Sequence, residues 1–233
     1  MSATKAADGS AKRFYWILGG LAAVAAAGLG YTVLRGKAAP PTPEPVPLEE
    51  AQATLAGGHE LGIAKGDPNA PLVVQEFADY QCPACAQFSA LTARALHERY
   101  VNTGRVYWIF FDFPIPQIHP NAIPAAEAAR CAGDQGNYWG MHDILFARQP
   151  EWAKEGNPLG RFVEYARALG LDGEALRRCV QAGTHRQTVL QSRERGLRLG
   201  VDATPTFFIG SQRTAGAVPF DEFARILDRE LAA

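Results

Sequence analysis

The spacing of apolar and polar positions changes character several times along the chain. Pro71-Leu-Val-Val-Gln-Glu-Phe77 is a short apolar run rich in β-branched residues, the pattern of a central strand buried on both faces. From Cys82 to Tyr100 the apolar positions Phe88, Leu91, Ala95, Leu96 and Tyr100 recur at helical spacing, with Pro83 suited to the first turn and Gly104 to the exit. Arg105 to Phe113, carrying Val106, Tyr107, Trp108, Ile109, Phe110 and Phe111, reads as another central strand. Strand, helix and strand at this spacing predict a right-handed βαβ unit with a parallel pair.

From Asn121 to Gly200 no strand-like run remains, and amphipathic segments separated by Gly, Pro and Asn predict a helical subdomain. One helix holds Tyr138, Trp139, Met141, Ile144, Leu145 and Phe146, and a second holds Phe162, Val163, Ala166 and Leu169. Leu176, Cys179 and Val180 form a third apolar stripe, and a basic, more exposed helix carries Val189, Leu190 and Leu197. After Thr204-Pro205 the strand pattern returns in Thr206-Phe-Phe-Ile209, followed by a turn at Gly210-Ser211 and a short strand near Arg213 to Ala217. A last helix holds Phe220, Phe223, Ile226, Leu227 and Leu231. The fold class expected is α/β with an inserted helical subdomain: residues 55–120 and 201–233 form its two parts and residues 121–200 the insertion.

The N-terminal part is different. A tail of residues 1–13 precedes Phe14 to Leu34, which contains no charge. At ~1.5 Å per helical residue this segment spans roughly 30 Å, the hydrocarbon thickness of a bilayer. A transmembrane anchor in contact with membrane lipid is the favoured reading; a long cleaved signal peptide, with small residues at Ala25-Ala26-Ala27 or Gly36-Lys37-Ala38, is the alternative. Lys5, Lys12 and Arg13 before it and Arg35 and Lys37 after it only slightly favour a cytoplasmic tail and an extracytoplasmic domain. Residues 35–54 are a linker whose Pro40-Pro41-Thr42-Pro43-Glu44-Pro45-Val46-Pro47 runs as polyproline II. At ~3.1 Å per residue those prolines act as a stiff spacer of about 25 Å.

The net charge of −1, from 23 basic and 24 acidic residues, gives no electrostatic footprint for nucleic acid. The 4 cysteines, few but even in number, are compatible with two pairs in an exported protein. Cys82-Pro83-Ala84-Cys85 supplies what thiol exchange requires, an attacking sulfur and a second sulfur near enough to resolve the mixed disulfide. At the first turn of a helix, unpaired N–H groups and the positive end of the dipole favour the Cys82 thiolate, while Cys85 lies one turn inward and is less acidic. A structural disulfide and half of a zinc site are the competing readings of such a motif. Zinc is disfavoured because Cys131 and Cys179 are far apart in the chain, and because none of His59, His97, His119, His142 and His185 has a ligand-like spacing with Cys82. No metal and no cofactor is expected. Cys131 and Cys179 each sit on an apolar stripe and are expected to form a structural disulfide, with two buried free thiols as the alternative.

Glu76-Phe77-Ala78-Asp79-Tyr80-Gln81-Cys82-Pro83-Ala84-Cys85 together with Thr204-Pro205-Thr206-Phe207-Phe208-Ile209 resembles the DsbA-like branch of the thioredoxin superfamily. Gly66-Asp67-Pro68-Asn69-Ala70-Pro71 and Cys131-Ala132-Gly133-Asp134-Gln135-Gly136 are similar to its membrane-anchored bacterial members. The resemblance, from about Gly62 to the C-terminus, implies a thioredoxin fold interrupted by a helical insertion. It implies Cys82 as nucleophile, Cys85 as resolving thiol and Pro205 as a cis-proline facing them. Thr204, Pro83 and Ala84 would then meet substrate, and Glu76 would act as a buried acid relaying the Cys85 proton. Ala84 stands where a histidine often occurs and adds no donor to the thiolate. The function implied is an oxidase that puts disulfides into exported thiol-containing proteins and is recharged by a membrane partner of the DsbB or vitamin-K-epoxide-reductase type. A cell-envelope reductase or isomerase, or a non-catalytic binding module, are the alternatives.

Overall fold

A computed structural model describes residues 58–233, so the expected tail, anchor and linker at residues 1–13, 14–34 and 35–54 lie outside the described residues. Among those described, no helix is long and apolar enough to cross a membrane. The strands are β1 (Ile63–Lys65), β2 (Leu72–Ala78), β3 (Val106–Asp112), β4 (Thr206–Ile209) and β5 (Gln212–Ala215). They form one sheet in the order β1-β3-β2-β4-β5. β2 and β3 run parallel, with Glu76 opposite Phe110, and β4 lies antiparallel to β2 with Phe207 opposite Glu76. The helix between β2 and β3 supplies the crossover that a parallel pair demands.

Period-two alternation sends the two sheet faces to different cores. Val74, Trp108, Phe207 and Ile209 pack with Phe88, Leu96, Phe223 and Leu227 on one face. Phe77, Ile109, Phe111 and Phe208 pack with Phe113, Leu199 and Val201 on the other. Each such side chain contributes roughly 1.5–3 kcal/mol when fully buried, and because both faces are covered the strands read as continuous apolar runs.

The crossover helix α1 occupies residues 83–101 and is built from Pro83–Phe88, a π stretch Ser89–Ala93, Arg94–Leu96 and a second π stretch His97–Val101. Those wider turns correct the expected apolar face: Leu91 is 72% exposed and Ala95 is exposed as well. With more residues per turn, a spacing of four stays on one side. Phe88, Thr92, Leu96 and Tyr100 are buried along that spacing, with Cys85, Ala93 and Val101 buried beside them.

The insertion comprises α2 (Ala122–Gly133), α3 (Tyr138–Ala147), α4 (Gln149–Trp152), α5 (Leu159–Ala168), α6 (Gly173–Ala182) and α7 (Arg186–Arg198), and α8 (Phe220–Glu230) closes the fold. On α7 only Val189 of the three expected apolar positions is buried, since Leu190 and Leu197 are 39% and 43% exposed. Gly196 faces the sheet instead. A Cβ there would meet Phe113 at 2.5 Å and Phe77 at 2.9 Å, so the residue allows α7 to lie close against those rings.

Cys131 on α2 and Cys179 on α6 are joined by a disulfide across 48 residues. In the chain-entropy treatment a loop of that length stabilises the fold by about 4 kcal/mol. Cys131→Ser should therefore lower the melting temperature strongly under non-reducing conditions, while the rate at which Cys82 is alkylated stays close to that of the parent. Equal melting temperatures would show that the bond adds no stability.

Candidate active site

Cys82 is the N-cap of α1 and Pro83 its first residue, so the helix starts one residue later than the sequence pattern implied. Proline fits there because its missing N–H is one the helix would leave unpaired anyway. Both cysteines are free thiols. They are 8% (Cys82) and 1% (Cys85) exposed, which makes Cys82 the more accessible of two largely covered sulfurs.

Their acidities are pulled apart. The Cys82 thiol is lowered to about 5, chiefly by a hydrogen bond from Cys85; Thr204 and the backbone N–H groups of Cys85 and Ala84 add to this, against the cost of burial. The Thr204 hydroxyl is buried with no other hydrogen-bond partner, which leaves it available to the Cys82 sulfur. Cys85 is pushed well above the ordinary thiol value, first by burial and then by its hydrogen bond to Cys82 and that sulfur's charge. Ala84 contributes through its backbone, as any residue at this position can.

The Thr204-Pro205 peptide is cis. It brings the Thr204 carbonyl to 3.4 Å from Cys82 Sγ, across 122 residues of sequence, where the protonated thiol donates to it. Glu76 lies on β2 within the sheet face that meets α1. Burial raises its carboxyl to about 7, partly offset by the indole N–H of Trp108, which donates to Oε2 at 2.9 Å. Its charge is among the influences on Cys85. Cys82, Cys85, Pro83, Ala84, Thr204 and Pro205 thus form one cluster with Glu76 beneath it, whereas Cys131 and Cys179 belong to the insertion.

Several residues that hold this cluster were not foreseen. Asp79 accepts from the backbone N–H of Gln81 at 2.7 Å and of Ile115 at 2.8 Å. It also contacts His119 Nδ1 at 2.8 Å, and its own carbonyl accepts from the Cys82 N–H at 3.0 Å. Gln149 Nε2 donates to the carbonyls of Tyr80 at 2.7 Å and Cys82 at 3.0 Å. Gln81 links onward, accepting from the Asn121 N–H at 2.7 Å and donating to Ala153 O at 2.6 Å. Asp79 and Gln81 fall inside the quoted motif. Gln149 and Asn121 carry no sequence signal that could have found them.

A thioredoxin family matches residues 59–229. This chain belongs to the thioredoxin family. Among its relatives, the Na(+)/H(+) antiporter NhaA 3 of Salinispora tropica is 33% identical over 152 residues, 65% of this chain and 22% of the antiporter. The chain therefore spans between about a fifth and a third of the length of the antiporters it matches. Disulfide bond formation protein D of Bacillus subtilis is 23% identical over 167 residues, 71% of this chain and 75% of that protein. Among solved structures, oxidised BdbD from Bacillus subtilis superposes with a TM-score of 0.69 at 22% identity, covering 76% of this chain and 96% of that one. Wolbachia pipientis α-DsbA1 gives 0.67 at 22% identity, with coverages of 76% and 96%. These likenesses together support a DsbA-like thioredoxin-superfamily fold for the chain.

The displaced Glu76 carboxyl makes stability depend on pH. Its folded value of about 7 exceeds the ordinary 4.5, so the protonated form is the one the fold favours. No penalty exists below 4.5; it grows as the pH rises through the window and is complete above about 7, on the order of 3 kcal/mol. Glu76→Gln keeps an acceptor for Trp108 and removes the charge. The variant should melt above the parent at pH 8 and close to it at pH 4, and a constant difference across that range would contradict the buried charge.

Proposed function

We propose that the chain is a thiol–disulfide oxidase, which donates the Cys82–Cys85 disulfide to thiol-containing proteins outside the cytoplasm. The observation that carries this reading is the split between the two thiols, with Cys82 held at about 5 and Cys85 pushed up by burial. Cys82 is ionised at neutral pH and is the sulfur that a mixed disulfide forms on; Cys85, protonated and next to it, resolves that bond. Glu76, buried beneath the pair, takes the Cys85 proton as Cys85 attacks. Thr204 and Pro205 face the same sulfur and offer a backbone edge to an extended substrate segment beside Pro83 and Ala84.

The stabilised thiolate also sets the direction of exchange. Two pKa units below pH 7 are worth ~2.7 kcal/mol, or about 60 mV for a two-electron couple. This favours the reduced form and makes the disulfide a better oxidant. Recharging then falls to an oxidant in the membrane, of the quinone-linked DsbB or vitamin-K-epoxide-reductase type. The name of the Bacillus subtilis relative, disulfide bond formation protein D, supports the same direction.

In the direct test, Cys85→Ala accumulates mixed disulfides with substrate proteins and Cys82→Ala traps almost none. Iodoacetamide should label Cys82 first, with a midpoint near pH 5. A redox titration of the pair should fall nearer the oxidising end of the family's range, about −120 mV, than the reducing end, about −270 mV. A value at the reducing end would turn the reading into that of a reductase or isomerase. For the placement of the domain, full-length protein should sediment with membranes through residues 14–34. A mature N-terminus at or beyond Ala26 would show a removed signal peptide in place of an anchor.

A further inference from the structure

Away from the Cys82 site, the ends of α2 and α6 bring together donors that are far apart in the sequence. The sulfurs of Cys131 and Cys179 and a ring nitrogen of His185 all lie within 4.8 Å of one another. Asp134, the C-cap of α2, sits 2.8 Å from His185 Nε2 and 3.7 Å from Cys179 Sγ.

We propose that the Cys131/Cys179 pair, once reduced, forms with His185 a zinc-type metal site. Both cysteines stand in the last turns of their helices, Ala122–Gly133 and Gly173–Ala182. Helix C-termini carry partial negative charge and favour cations, and the Asp134 carboxylate adds to it. Two thiols and an imidazole are a donor set that suits Zn²⁺, with a fourth position left to water. Tetrahedral zinc holds two sulfurs roughly 3.8 Å apart at ~2.3 Å each, which side-chain rotation provides at a Cα separation of 6.0 Å. A carboxylate against a ligating imidazole is the contact that orients the ring in metal sites, and Asp134 is placed to make it. Cys131 is buried, while Cys179 and His185 are half-exposed and leave a way in for an ion.

The chemistry balances with a phosphine as reductant. The S–S bond breaks, water supplies two protons to the sulfurs and oxygen to the phosphine, and metal binding releases the two thiol protons. The test uses full-length protein carrying Cys82→Ser and Cys85→Ser, so that only this pair can respond. After phosphine reduction it should take up one equivalent of Co²⁺ with the visible bands of a tetrahedral thiolate site. Zn²⁺ should displace the Co²⁺ and raise the melting temperature, and the oxidised protein should do neither. His185→Ala and Asp134→Asn retain both cysteines and are first isolated as folded, disulfide-bonded protein. His185→Ala should then abolish the tetrahedral spectrum, and Asp134→Asn should weaken Zn²⁺ at least about tenfold. If the reduced protein binds Co²⁺ no better than the oxidised one, or if His185→Ala keeps the spectrum and affinity, the proposal fails.

Discussion

The sulfur of Cys82 is held against the start of a helix, and most of what surrounds it keeps that helix start in place. An N-cap residue has its own carbonyl inside the helix and its side chain outside, facing first-turn N–H groups that no carbonyl satisfies. A thiolate there receives the backbone N–H groups of Ala84 and Cys85 and the Cys85 thiol. Directional donors of this kind lose their effect within a fraction of an ångström, so the benefit depends on how firmly the turn before the helix is fixed. The strand that delivers the chain to this point, β2, is central in the sheet and lies between β3 and β4. The helix that leaves it is anchored by Phe88, packed among Trp108, Phe207 and Phe223.

Fixing the turn is the work of the helical insertion as much as of the thioredoxin core. The carbonyls of Tyr80 and Cys82 accept from Gln149, and the Gln81 side chain reaches Asn121 and Ala153. The buried Asp79 carboxylate separately gathers two backbone N–H groups and His119. Burying that carboxylate is unfavourable, and its pKa is raised for that reason, with the three hydrogen bonds acting against the shift. Residues 79 to 82 are therefore gripped by two separate polar sets. A rearrangement of the insertion would be felt at Cys82 through hydrogen bonds whose loss leaves buried groups unpaired, at about 1–3 kcal/mol each.

What could be read from the sequence follows the strength of each local signal. The strands around Val74 and Phe110 and the helices around Phe162 and Phe223 were legible because burial on a regular element imposes a regular period. So was the Cys-Pro-Ala-Cys turn, where residue type and spacing coincide with the demands of a helix start. The face of α1 was misjudged because π turns change the period: Leu91 belongs to an α-helical stripe and Thr92 to the real one. β1 is only Ile63–Lys65 and too short to show alternation. Asp79 and His119 meet across 40 residues and Gln149 reaches back across 67 to Cys82. Neither separation leaves a periodic trace, and polar residues in loops read as ordinary surface.

The two cysteine pairs occupy opposite ends of helices, and this difference fits the different chemistry proposed for them. Cys82 caps an N-terminus, where backbone N–H groups lower its pKa and stabilise the reduced, ionised state. Cys131 and Cys179 lie at C-termini beside Asp134, where carbonyl dipoles and a carboxylate oppose a thiolate. Stabilising a thiolate makes a disulfide more oxidising, and opposing it makes the disulfide harder to reduce. The first pair is thereby suited to give its disulfide away and the second to keep it. When the second pair is reduced, the same negative surroundings that opposed the thiolates are the ones that suit a bound cation. On the proposed function, helix polarity, set by which end of each helix a cysteine falls on, separates an exchanging pair from a retained one within a single chain.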